Sequence, residues 1–229
     1  MKLLGSVFIV CLFCNTLSAQ SEPKTMLGVG YNYGKANLAE YTAFLEYLNT
    51  TNPGLTEPFV SPDPFLGPVV FIGYQSQHAW LNFSYSKFQN TEKANGIIPD
   101  VSSNSNFYGI RTGFYTVSGE IGYLLNRFLG LSTDLGYMYS NFRVSENGTN
   151  RYIRVNKTGA LYGGLMGIIQ IPLGSKAAFQ IKPFYRLPLK KSEMQSLNLS
   201  FTGIGAPYPE GETSVKLYGL QFNVAIFVQ

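Results

Sequence analysis

Between Thr133 and Tyr139 every second residue is a threonine or a bulky apolar side chain: Thr133, Leu135, Tyr137 and Tyr139 interleave with Asp134, Gly136, Met138 and Ser140. That alternation is the signature of a strand with one apolar face, because successive side chains leave a strand on opposite sides. The C-terminus repeats it, with Leu220, Phe222, Val224, Ile226 and Val228 set against Gly219, Gln221, Asn223 and Ala225. A membrane helix is not available beyond the first twenty residues. The best apolar run, Leu161 to Ile171, is eleven residues long and broken by Gly163, Gly164 and Gly167, against the ~20 residues a spanning helix needs.

Carried along the chain, the same reading gives eight strands: Thr25 to Gly34, Phe65 to Gln75, Gln77 to Gln89, Asn106 to Leu125, Phe128 to Ser145, Arg151 to Ile171, Lys176 to Lys190 and Thr213 to Gln229. An even number of strands suits an all-β, antiparallel up-and-down barrel. The connectors support it. Residues 35 to 64, 90 to 105 and 191 to 212 are long, whereas Ser76, Asn126-Arg127 and Pro172 to Ser175 are short. Residues 146 to 150 are brief and carry an Asn147-Gly148 turn signal, but the long strands on either side assign them to the long-loop end.

Two faces of opposite character also explain the composition. The chain is 229 residues, 45% hydrophobic, 15% aromatic and 13% charged, yet its mean hydropathy is only +0.02. So few charges and so many rings exclude a disordered polyelectrolyte. Met1-Lys2, the apolar run Leu3 to Leu12 and the small residue Ala19 read as a secretory signal peptide, residues 1–19, leaving 20–229 as the barrel domain. Cleavage removes Cys11 and Cys14, the only cysteines, and Lys2, so the net charge falls from +4 to +3. The finished chain then depends on its fold without disulfides.

The charges decide which face is wet. Glu120, Asp134, Lys182 and Arg186 lie opposite the bulky series that includes Val117, Ile121, Leu131, Leu135, Ile181 and Tyr185. Asn82, Gln170, Gln180, Gln221 and Asn223 share the charged face. These groups are expected to form one hydrogen-bonded interior network filling the lumen, with the apolar series outside. Glycines such as Gly28, Gly73 and Gly136 fall inside strands, where they permit tight curvature. Tyr31, Tyr33, Tyr74, Tyr85, Tyr123, Tyr139 and Tyr185 near strand ends are candidates for interfacial girdles.

The rhythm of short turns and long loops, with the terminal strand Phe222-Asn223-Val224-Ala225-Ile226-Phe227-Val228-Gln229, resembles the small outer-membrane β-barrels of Gram-negative bacteria, the eight-stranded OmpA/OmpX type. The resemblance covers the mature chain and rests on topology rather than on a sharp motif. Terminal strands of that class often end on an aromatic ring, and this one ends on Gln229. It implies a transmembrane barrel in the outer membrane, short turns in the periplasm, long loops outside, contact with outer-membrane lipids, and recognition of the C-terminal strand by the barrel-assembly machinery.

The first long loop carries a helix signal. Asn37 and Glu40 have the spacing of a capping box, and Leu38, Tyr41, Leu45 and Leu48 line one face. The expectation is a short helix over the barrel mouth, either packed on the rim as a lid or presented to a protein partner. Residues 191 to 212, with Phe201 and Tyr208, are the second candidate surface.

Chemistry is sparse. The single histidine, His78, sits beside the short turn at Ser76, on the wrong side for chemistry on outer-leaflet lipids. Carboxylate catalysis by Glu120 and Asp134 competes with pairing to Lys182 and Arg186. With no mature cysteine there is no transition-metal ligand set, and neither a phosphate-binding loop nor a basic nucleic-acid patch is evident. The expected function is therefore non-enzymatic and without cofactors: a structural, adhesive or accessory outer-membrane barrel working through its outer loops. The alternatives are a lipid-modifying outer-membrane enzyme and a soluble secreted barrel carrying a hydrophobic ligand.

Overall fold

In the computed structural model the first strand, β1 (Lys24–Asn37), pairs antiparallel with the last, β11 (Lys216–Val228), from Thr25↔Val228 to Asn37↔Lys216. The residues described are 24–99, 104, 106–145, 151–202 and 211–228. The expected leader 1–19, the expected turn at Asn147-Gly148, Tyr208 and Gln229 lie outside them. Between β1 and β11 come α1 (Ala39–Thr51), β2 (Leu55–Glu57), β3 (Phe65–Gln75), β4 (Ala79–Gly96), β5 (Asn106–Leu124), β6 (Leu129–Ser145), β7 (Tyr152–Pro172), β8 (Ala177–Pro188), β9 (Ser192–Glu193), α2 (Gln195–Thr202) and β10 (Glu212–Thr213).

The neighbours run β4-β3-β1-β11-β8-β7-β6-β5, and β5 pairs back to β4. The result is a closed, eight-stranded antiparallel β-barrel with a short helix after the first strand. Closure leaves no long edge exposed; β2 adds only a short strand beside the far end of β4.

The third expected strand, Gln77 to Gln89, is displaced at both ends. Gln77 and His78 belong to a tight turn in which the Ser76 N–H donates to the Ala79 carbonyl at 2.8 Å. Beyond Gln89 the ladder to β5 continues to Gly96↔Asn106. The capping box does not form. Asn37 ends β1, Leu38 occupies the cap position without a side-chain cap bond, and Glu40 turns away to the segment before β11, where three donors meet it. The helix α2 and the short pair β9–β10 add order to the last long loop.

Alternation sorts the side chains as strand geometry dictates. Leu135 (71% exposed), Leu165 (65%), Val29 (62%) and Leu131 (61%) stand on the outer wall, too apolar and too exposed for a wall meant to face water. The tyrosines 31, 33, 74, 85, 123, 139 and 185 stand there too. The interior is layered. Trp80, Leu124 and Ile168 cluster near the short-turn end. Polar side chains fill the middle. A buried aromatic layer that includes Phe65, Phe88, Phe114, Phe142 and Phe184 lies under the helices.

Candidate functional site

Cross-strand register puts Glu120 of β5 directly opposite Asp134 of β6, a like-charge neighbourhood that is unfavourable unless neutralised. Strand β8 supplies the cations from two positions on its inner face. Lys182 Nζ donates to both Glu120 oxygens at 3.0 and 2.9 Å, and Arg186 Nε donates to Asp134 Oδ2 at 2.8 Å. All four residues are at most 4% exposed. They form two adjacent pairs, each with its own supporting donors, where the sequence reading had a single network.

Glu120 also accepts from Trp80 Nε1 at 2.9 Å, Ser132 Oγ at 2.8 Å and Asn82 Nδ2 at 3.3 Å. Asp134 Oδ2 accepts from the Tyr162 hydroxyl at 3.0 Å. A β-carbon on Gly164 would lie 2.0 Å from Asp134 Oδ1, so glycine there lets the carboxylate rest against β7. Among the interior amides, Gln180 donates to Gln170 at 3.0 Å and Gln221 to Asn223 at 3.2 Å.

Above this layer the mouth is closed. Leu38, Tyr41, Leu45 and Leu48 are between 0 and 2% exposed, so the helix face that carries them is turned into the barrel. Phe44, missed by the sequence reading, is buried beside them and lies 6.4 Å ring to ring from Phe201 of α2. Phe201 in turn meets Phe59 at 5.8 Å and Tyr108 at 6.4 Å. Asn49 clamps the return path by exchanging hydrogen bonds with the Phe59 backbone, 2.8 Å to its oxygen and 2.9 Å from its nitrogen.

Two carboxylates hold this cap. Glu40 accepts from the Ser214 N–H at 2.8 Å, the Ser214 hydroxyl at 3.0 Å and the Thr213 hydroxyl at 3.1 Å. Burial pushes its pKa up, but these bonds outweigh that push and bring it down to about 2. Glu92, on the part of β4 beyond Phe88, accepts from the Tyr41 hydroxyl at 3.0 Å. It is 4% exposed and no cation pairs with it among the described residues. Burial drives its pKa up to about 8, against the opposing pull of its own backbone and of the Tyr41 hydroxyl. Burial, and then the Glu92 charge, likewise push Tyr41 well above the usual tyrosine value.

The remaining candidates are not assembled for catalysis. His78 stacks on Tyr123 with ring centroids 5.8 Å apart, while Ser76 Oγ accepts the Ala79 N–H at 3.1 Å. Among the described residues no group of three or more His, Cys, Asp or Glu gathers as a metal site. One concavity, about 1070 Å³, is an apolar hollow that includes Leu81, Ile121, Leu131 and Leu165. At the turn end a smaller pocket of about 310 Å³ is lined by Lys24, Gln75, Ser76 and Gln170 among others.

No protein-family model matches the sequence, and no curated protein matches it. Solved structures do resemble the fold. The crystal structure of Ail, the attachment invasion locus protein of Yersinia pestis, in complex with the heparin analogue sucrose octasulfate, aligns with a TM-score of 0.52 at 10% identity, covering 91% of this chain and 100% of that one. Neisserial surface protein A aligns with a TM-score of 0.51 at 9% identity over the same shares. The chain has the fold of the small eight-stranded outer-membrane β-barrels.

Proposed function

We propose that this protein is an integral outer-membrane barrel with a sealed lumen, acting as a structural, adhesive or accessory protein through its external end. The observation that carries the reading is the inversion of a soluble barrel: apolar side chains ring the outside while paired charges lie within. Such a wall is stable only against lipid, and such a lumen leaves no apolar space for a hydrophobic cargo. The leader 1–19 fits export across the inner membrane, and the C-terminal strand fits delivery by the barrel-assembly machinery. The role proposed is non-catalytic, since each interior carboxylate of the middle layer is held by a base. Ail, with the same fold, was crystallised with a heparin analogue; by analogy, the long-loop end of this barrel is the surface that engages a partner.

Fractionation tests the location: the protein should sediment with the outer membrane and require detergent for release, and recovery in the soluble periplasm would refute it. Planar-bilayer recordings test the seal. Purified protein should give no stable conductance, whereas large steady channels would contradict a filled lumen.

A further inference from the structure

On the outer wall, three arginines stand side by side across three strands. Arg111 of β5 is directly opposite Arg143 of β6, and Arg143 is directly opposite Arg154 of β7. Directly paired side chains point the same way with β-carbons about 5 Å apart, a spacing at which like charges repel. No ion pair among the described residues reaches any of the three.

The row depends on a bulge. Phe142 pairs with Asn156, but Arg143 then pairs with Arg154, so Val155 is skipped. One extra residue reverses the alternation of a strand. It turns Arg154 and Lys157, which would otherwise face opposite ways, to the same side, where both are exposed. Arg111 is steadied by Tyr152, its guanidinium 4.0 Å from the ring centroid, and by a 3.3 Å bond from Nε to Thr91 Oγ1. Arg143 Nε is buried without a hydrogen-bond partner.

Each strand gives the same vertical order. Outward positions run Phe83, Tyr85, Lys87 on β4; Val117, Tyr115, Gly113, Arg111 on β5; and Tyr137, Tyr139, Asn141, Arg143 on β6. Lys87 lies over the Tyr115 ring at 5.8 Å and Lys157 over the Tyr139 ring at 4.3 Å. At about 3.3 Å per residue on tilted strands, the cations stand roughly 5–10 Å beyond the last girdle tyrosine. That is headgroup height, and they face sideways. Two other rim cations have acids: Lys35 pairs with Asp63, and Lys191 lies 3.6 Å from Glu40.

We propose that the Arg111–Arg143–Arg154 row, flanked by Lys87 and Lys157, binds the phosphate groups of an outer-leaflet lipid headgroup. The inference rests on the membrane reading above. The row spans about 10 Å across three strands, adjoins the lipid-facing wall without interruption, and offers guanidinium forks suited to phosphate oxygens.

The test uses the full barrel refolded into phosphatidylcholine nanodiscs, wild type beside an Arg111→Gln/Arg143→Gln/Arg154→Gln variant. The probes are bis-phosphorylated lipid A, lipid A stripped of phosphate, and heparin, with bound lipid counted by native mass spectrometry. Wild type should prefer the phosphorylated lipid by about tenfold or more, the preference should fall at least threefold in the variant, and 500 mM salt should weaken it. Equal binding of the two lipids, or an unchanged preference in the variant, overturns the proposal. If the triple variant does not refold, Arg154→Gln, at the exposed end of the row, should still lower the preference; no change there also overturns it. Heparin binding that requires the arginines, without any lipid preference, would assign the row to a soluble polysulfate and refute the lipid site. A protein that fails to enter nanodiscs refutes the membrane reading itself; one that enters without phosphate preference refutes only the site.

Discussion

Replacing Glu92 by Gln should make the cap insensitive to alkali. Glu92 is buried under α1, its carboxyl raised from 4.5 to about 8 by that burial. A folded pKa above the unfolded one means that the folded state holds the proton more tightly. The stabilisation is therefore complete below about pH 4.5 and is lost as the pH rises through 8. A gap of three to four pH units corresponds to about 5 kcal/mol. The groups facing Glu92 cannot offset this loss: Tyr41 comes from α1 and Thr112 from β5, and both are neutral in this range. Gln is the neutral isostere, so the two proteins should match below about pH 4 and differ most at pH 9.

Limited proteolysis within α1 reads the opening of the cap, and the ratio of wild type to Glu92→Gln cancels the pH dependence of the protease. That ratio should climb by about tenfold per pH unit between pH 5 and 8 and then level off. A constant ratio from pH 5 to 9 would show that Glu92 is charged throughout or that Tyr41 does not hold the helix, and would refute the reasoning.

Three other perturbations probe the remaining layers. Lys182→Met strands the buried Glu120 carboxylate and should cost about 3–5 kcal/mol in urea unfolding from vesicles, whereas the Glu120→Gln/Lys182→Met pair should recover most of that loss; equal costs would mean that the two residues are not coupled. Leu45→Asp puts a charge on a side chain that is 2% exposed and should loosen α1, raising its protease sensitivity at pH 7; unchanged cleavage would count against a packed cap. Glu40→Ala should weaken the cap by about 1–2 kcal/mol after allowance for partial exposure. Because the Glu40 pKa is lowered from 4.5 to about 2, its contribution is present above pH 4.5 and lost as the pH falls through 2, so the mutant and wild-type proteins should converge in strong acid.

The barrel was legible in the sequence because period-two alternation is a local property, and each of the eight strands carries it. The inner position of Glu120, Asp134, Lys182 and Arg186 follows from the same parity. What was missed depends on distance, on a strand ended too early, on a short element or on a break in the pattern. Glu40 looks like a helix cap because its actual partners, Thr213 and Ser214, lie far along the chain. Glu92 escaped because the third strand was ended at Gln89, although the inward series Asn82, Ser84, Ser86, Phe88, Asn90 extends to it without a gap. The second helix is short, and its signal was the pair Leu197 and Phe201, four residues apart and both buried. The arginine row needed the bulge at Val155, which nothing local announces.

The interior charges do more for register than for net stability. A buried ion pair recovers little beyond its desolvation cost, and well-packed apolar side chains would serve as well for that. Direction is different. Strand β8 carries Lys182 and Arg186 inward with Ile181, Tyr185 and Leu187 outward, and a slip of one residue against β7 or β11 would reverse all five. Both cations would then face lipid, and Glu120 and Asp134 would remain adjacent with no counter-charge. Against lipid each misplaced charge is severely penalised. The ion pairs therefore reject the shifted barrels that alternation alone would permit, and Gly164, which accommodates the Asp134 carboxylate, matches one of those positions on the neighbouring strand.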